Sequence, residues 1–150
     1  MTERLKVHAW RACAGLNPAV GSNPTLSAIY GGKMFLLSRE FSFDAAHRVV
    51  DYNGKCENLH GHTYRLIVTI TGEIKNDGMV LDFAILKKVV NENVISELDH
   101  RYLNDLFENP TTELIAKWIY DKLSDAFKEF NCRVYEITLF EGNNNRVTVR

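Results

Sequence analysis

Cysteine is scarce in this 150-residue sequence, at three residues: Cys13, Cys56 and Cys132. An odd and sparse set excludes the disulfide framework of a small secreted domain. It suits a reducing cytosol, so a cytoplasmic location is expected. Long apolar runs are missing too, and none approaches the ~18–20 residues of a membrane span. Neither sign of charge prevails: 18 Lys and Arg against 19 Asp and Glu leave a formal net charge of -1. That balance excludes a strongly basic nucleic-acid binder and an acidic disordered tail. What is present is ordinary, with 45% hydrophobic, 25% charged and 11% aromatic residues. This is about one domain's worth of chain, and it buries roughly two thirds of its unfolded surface without needing a disulfide or metal merely to fold.

Residues 1–33 differ from the rest. They hold two of the three prolines, Pro18 and Pro24, and four of the nine glycines, Gly15, Gly21, Gly31 and Gly32. Two Asn-Pro turn signals and no sustained periodicity mark a stretch without regular structure. No continuous apolar segment follows Arg4 and Lys6, so it does not read as a signal peptide. Its charges, Glu3, Arg4, Lys6, Arg11 and Lys33, give net +3 and leave -4 for the remainder. Residues 1–33 are expected to be a tail outside the fold. Either it is a flexible arm or, if translation starts at Met34, it is no part of the mature protein. Residues 34–150 are expected to form the domain.

Within them Phe35, Leu37, Phe41 and Phe43 share a period-2 face, predicting a strand over Phe35–Ala45. Thr63–Thr71 alternates Tyr64, Leu66, Val68 and Ile70 against polar residues, predicting a second strand rich in β-branched residues. Asp82 is an expected N-cap, followed by Ile85, Leu86, Val89, Val90 and Val94 at helical spacing as far as Leu98. Pro110-Thr-Thr-Glu113 opens a second helix, with an expected core stripe of Leu114, Ile115, Trp118, Ile119, Leu123 and Phe127. Val134–Phe140 is a third strand, Asn143-Asn-Asn145 a polar turn, and Arg146–Arg150 a short fourth strand. The order ββααββ predicts an α+β domain: a four-stranded antiparallel sheet with two helices on one face.

Three of the five histidines form the best chemical signal. His60-Gly-His62 enters the second strand, where residues two apart share a face. His47 closes the first strand in Phe43-Asp-Ala-Ala-His47, and neighbouring strands lie ~4.8 Å apart, so a third imidazole can join. Three neutral nitrogens around one ion describe a catalytic zinc site with an open fourth position. Gly61 is expected to keep the ligand face uncrowded. Cys56, four residues before His60 in a polar loop, has two readings. It is a fourth ligand closing a structural site, or a thiolate base or nucleophile beside the cation. Asp99-His100 after the first helix is a candidate acid–base pair, although adjacent residues need not pair with each other. Glu141 ends an apolar strand, where a carboxylate can grip an amidine-like edge through two parallel hydrogen bonds; a solvated turn residue is the plain alternative. Glu113, in a first helical turn, is explained by the helix dipole alone. Cys132, entering the third strand, is most simply structural.

Phe43-Asp-Ala-Ala-His47, Cys56-x3-His60-Gly-His62, Leu98-Asp-His100, Pro110-Thr-Thr-Glu113 and Phe140-Glu141 occur in one order at set intervals. On these motifs the chain, from about Phe35 to its C-terminus, resembles the 6-pyruvoyl-tetrahydropterin synthase / 6-carboxytetrahydropterin synthase family. The resemblance implies a tunnelling fold (T-fold), assembled as a homohexamer of two trimers. It implies zinc held by His47, His60 and His62, with Cys56 as general base or nucleophile. Asp99 and His100 complete the proton-transfer set, and Glu141 anchors the pterin ring of a pterin triphosphate. Glu113 assists the anchoring, and Thr111 and Thr112 line the pocket.

The short Cys56-x3-His60 spacing is similar to the bacterial carboxy-forming type, which serves the 7-deazaguanine (queuosine) pathway; pyruvoyl-forming members generally carry a longer spacer. The expected reaction converts 7,8-dihydroneopterin triphosphate to 6-carboxy-5,6,7,8-tetrahydropterin, releasing acetaldehyde and triphosphate. Relatives that form 6-hydroxymethyl-dihydropterin place a glutamate where this chain has Cys56, and Glu57 stands beside it. Pyruvoyl and hydroxymethyl products at the same site therefore stay open. So does a reading of another class, a non-catalytic zinc-binding assembly module with Cys56 as fourth ligand.

Overall fold

The computed structural model describes residues 33–150, so the expectations for the N-terminal segment lie outside the described residues. Two long antiparallel strands dominate: β1 over Phe35–His47 and β2 over His60–Gly72. A helical run follows, made of α1 (Phe83–Val90), a π turn (Asn91–Ile95) and α2 (Ser96–Leu98). Then come β3 (Arg101–Tyr102), α3 (Thr112–Ala126), β4 (Cys132–Glu141) and β5 (Asn145–Val149). The sheet order is β3-β1-β2-β4-β5. It has five strands where four were expected. The addition is the two-residue β3, parallel to β1 at Ala45 and Ala46 and too short for periodicity to reveal.

The alternation read from the sequence sets the two faces of the sheet. Tyr64, Leu66, Val68 and Ile70 of β2 are all fully buried beneath the helices. Phe43 and Ala45 of β1 join them, with Ile137 and Leu139 of β4. Burying each large apolar side chain contributes about 1.5–3 kcal/mol. Val134 also faces the core, because a bulge between the Thr69–Glu136 and Ile70–Val134 pairings lets β4 regain its register.

The starts of α1 and α3 are capped by side chains. Asp82 accepts from the Ala84 N–H at 2.6 Å, as its position predicted. Thr111 accepts from the Leu114 N–H. The core stripe of α3 is narrower than predicted. Ile115, Ile119 and Leu123 are buried, but Leu114 is 48% exposed, and Ile85 on α1 is also exposed. At α3's spacing Leu114 falls beside the buried stripe, facing a surface groove shared with Phe107 and Trp118. The π turn has a local cause: the Asn93 side chain donates to the Val89 carbonyl and Ser96 to that of Glu92, within the helical ladder.

No helix among the described residues is long and apolar enough to cross a membrane.

Candidate active site

Both histidine-bearing strands run further than predicted, β1 to His47 and β2 from His60, so all three imidazoles stand on paired backbone. His47 lies directly opposite His60, and His62 opposite Ala45. The alternation turns all three onto the helix-covered face. Their ring centroids are 4.5 Å (His47–His60), 5.3 Å (His47–His62) and 4.8 Å (His60–His62) apart. Gly61 faces the other way, contrary to its expected part in clearing the ligand face; a Cβ there would meet only the Ala45 carbonyl oxygen, at 3.5 Å.

Two of the imidazoles are aimed by backbone carbonyls. His47 Nδ1 lies 2.8 Å from the Pro110 oxygen, and His60 Nδ1 lies 2.7 Å from that of Asn58. A carbonyl only accepts, so each Nδ1 carries a proton, and in the neutral ring each Nε2 presents a lone pair to the cluster. His47 is 2% exposed, and its Nε2 has no hydrogen-bond partner. A buried lone pair without a donor, aimed at two more imidazoles, is what a metal ligand looks like before its metal.

Glu141 completes the group. Its Oε1 lies 2.8 Å from His62 Nε2 and, without hydrogen-bond geometry, 3.4 Å from His47 Nε2. Thr112 donates to Oε2. The donor atoms of His47, His60, His62 and Glu141 all lie within 4.8 Å of one another, a set that can hold a metal ion. Contact with His47 is the main reason the Glu141 carboxyl is lowered to about 2, against the opposing effect of burial, with Thr112 assisting. Burial also opposes a proton on His47, but the Glu141 contact and the Pro110 carbonyl outweigh it and hold that pKa above the ordinary value. At His62 burial prevails over the carboxylate and, with the neighbouring histidines, lowers it.

Asp99 and His100 do pair with each other. Asp99 Oδ1 lies 2.9 Å from His100 Nδ1 and also accepts from the Asp44 N–H at 3.0 Å. The Asp44 amide is the largest cause of the lowered Asp99 pKa, with His100 adding to it. His100 adopts a left-handed backbone, φ 57°, pinned by its N–H donating to the Asp44 carbonyl at 2.7 Å. Such a conformation costs a non-glycine residue about 1–3 kcal/mol and clusters at functional sites. The imidazole is exposed, and it borders an open depression of about 560 Å³ with Asp44, Gly61, Thr63 and His62. Sequence reasoning missed Asp44 and Thr63, whose hydroxyl donates to Asp44 Oδ1 at 2.5 Å; nothing in their local pattern signals the role.

Cys56 lies in a single 3-10 turn, Lys55–Glu57, and its thiol is not among the atoms that meet at the histidines. The fourth group there is a carboxylate. Glu113 is exposed in the first turn of α3, Thr111 is the cap, and buried Thr112 alone of the three touches Glu141. A second groove of similar volume, between Val50, Phe107, Leu114 and Trp118, contains no imidazole or thiol.

Residues 36–150 match the family model described as 6-pyruvoyl tetrahydropterin synthase. The chain is 43% identical over 100 residues to a 6-carboxy-5,6,7,8-tetrahydropterin synthase of Synechocystis, covering 62% of this chain and 78% of that one. It is 48% identical over 102 residues to a dihydroneopterin monophosphate aldolase of Pyrococcus furiosus, covering 68% and 85%. A solved Caenorhabditis elegans 6-pyruvoyl tetrahydropterin synthase superposes with a TM-score of 0.70 at 31% identity, over 79% of this chain and 96% of that one. With the sheet and the histidine cluster as described, the chain belongs to the 6-pyruvoyl tetrahydropterin synthase family and is a pterin lyase of the tunnelling fold.

Proposed function

We propose that this chain is a zinc-dependent 6-carboxy-5,6,7,8-tetrahydropterin synthase. It acts on 7,8-dihydroneopterin triphosphate, releases acetaldehyde and triphosphate, and works in the cytoplasm for queuosine biosynthesis. The observation that carries the reading is the buried, unpartnered Nε2 of His47 facing His60 and His62. His47, His60 and His62 are the zinc ligands. Bound zinc supplies Lewis-acid polarisation of the substrate's side-chain oxygens and acidifies the groups that lose protons. Glu141, held by Thr112, grips the amidine-like edge of the pterin through paired charge-assisted hydrogen bonds. Thr111 and Glu113 border the ring's pocket.

Cys56 is the group that takes and returns protons during the reaction. His100, oriented by Asp99, passes protons through the depression it shares with His62. The exposure of His100 and the short edge strand β3 suit a site completed by neighbouring subunits in a hexamer of two trimers, which would also cover the sheet edges.

A second reading rests on the Pyrococcus furiosus aldolase, whose 48% identity to this chain is the highest of the three enzymes compared. By that reading the same site cleaves to a 6-hydroxymethyl-dihydropterin, with Glu57 beside Cys56 as a base. A pyruvoyl product is the third outcome. Product analysis of the zinc-loaded full chain with 7,8-dihydroneopterin triphosphate and, in parallel, with the monophosphate separates them. The proposal expects 6-carboxytetrahydropterin and equimolar acetaldehyde. A hydroxymethyl or pyruvoyl product would transfer the assignment to the corresponding relative, and no turnover would favour the assembly module.

A further inference from the structure

Tyr64 follows His62 on the same face of β2 and is fully buried, yet its hydroxyl has no hydrogen-bond partner among the described residues. A buried, unpartnered hydroxyl costs stability, and phenylalanine would fill the space without that cost. The ring cannot swing away. It stacks on Phe43 at 4.9 Å with an 11° interplanar angle, and His47 and His62 meet it edge-on at 6.2 and 5.9 Å.

Across the sheet, Tyr64 is the direct partner of Glu141 on β4. Side chains so placed share a face with Cβ atoms about 5 Å apart. Glu141 is taken up elsewhere, Oε1 by His62 and Oε2 by Thr112. A metal held by the three Nε2 atoms would take His62 away from Oε1, leaving a carboxylate oxygen short of a donor directly across the strand pair from a phenol short of an acceptor.

We propose that Tyr64 is a positioning residue whose hydroxyl donates to Glu141 once the histidines turn to the metal, fixing the carboxylate for the pterin edge. The assignment rests on the anchoring role proposed for Glu141. Thr112 and Tyr64 then hold the carboxylate from two sides, and its remaining lone pairs face the substrate.

The test compares the zinc-loaded full chain with its Tyr64→Phe, Glu141→Gln and doubly substituted forms. The readouts are zinc content, melting temperature, the KM and kcat split, and fluorescence titration with neopterin, an oxidised pterin that carries the same ring edge. Tyr64→Phe is expected to keep its zinc and, once stripped of metal, to melt no lower than the metal-free parent. Neopterin affinity should fall roughly 10–100-fold, the worth of one hydrogen bond to a charged group. KM should rise by a similar factor with kcat nearly unchanged. The double variant should bind no more weakly than Glu141→Gln, since the hydroxyl acts only through that carboxylate. Unchanged neopterin affinity in Tyr64→Phe, with Glu141→Gln weakened, overturns the positioning role alone. Full affinity in Glu141→Gln overturns the anchoring reading and this inference with it. A metal-free Tyr64→Phe protein that melts several degrees below the metal-free parent overturns the inference too, because the hydroxyl then serves the fold.

Discussion

The inner face of β2 has two halves that obey the same rule with opposite contents. Leu66, Val68 and Ile70 are buried against hydrocarbon, with Ile137, Leu139 and the helices around them. His60, His62 and Tyr64 continue the same alternation toward the strand's start, where polar atoms lack partners or share one carboxylate. One half stabilises the fold; the other holds nitrogen and oxygen atoms in place with energy the first supplies. The sheet is thus a rigid ruler, and chemistry is set by which side chains occupy one end of it.

The contrast breaks most sharply at the groups that move protons. Cys56→Ala and His100→Ala should each lower turnover roughly 10²–10⁴-fold while leaving zinc and pterin binding nearly intact. Their effects should be non-additive, because a relay missing one member gains little from the other; single-turnover and steady-state rates of both variants and the double variant check this. Near-parental turnover in both single variants would remove the proton relay.

In the apolar half, Leu66→Ala should cost about 2–5 kcal/mol of stability through the cavity it leaves. A urea titration measures it, and the surviving folded fraction should still bind zinc. If Leu66→Ala lost the metal without losing stability, the two halves would not be separable.

A smaller effect separates the halves by pH. Glu141 is lowered to about 2 in the folded metal-free protein, mainly by His47, and a free carboxyl titrates near ~4.3. The stability it contributes is present above that free value and is lost as pH falls toward about 2. Melting curves of metal-free protein across that range should decline less steeply in Glu141→Gln than in the parent. The smallest expected effect lies outside both halves. A protein starting at Met34 should fold, bind zinc and assemble like the full chain, as size-exclusion with light scattering would show.

Much of this was legible in the sequence because alternation is a strong signal. The period-2 faces of β1 and β2 put His47, His60 and His62 together once the strands paired, and the Asp82 cap followed from local chemistry. The rest depended on long-range geometry. Glu141 reaches the histidines through the pairing of β4 with β2, opposite Tyr64, which its own segment does not encode. The Asp99–His100 pair needs a left-handed residue pinned from Asp44, 55 positions away from Asp99 in sequence. Gly61 stands between two ligands but on the opposite face of the strand, and Leu114 stands one position outside the buried stripe of its helix, where periodicity alone does not separate core from rim.

Zinc content per chain, measured by elemental mass spectrometry on the parent, His60→Ala, Cys56→Ala and Glu141→Gln purified side by side, tests the three-histidine centre most directly. The account predicts one zinc per chain in the parent, in Cys56→Ala and in Glu141→Gln, and essentially none in His60→Ala. Loss of zinc from Cys56→Ala, or its retention in His60→Ala, would contradict it.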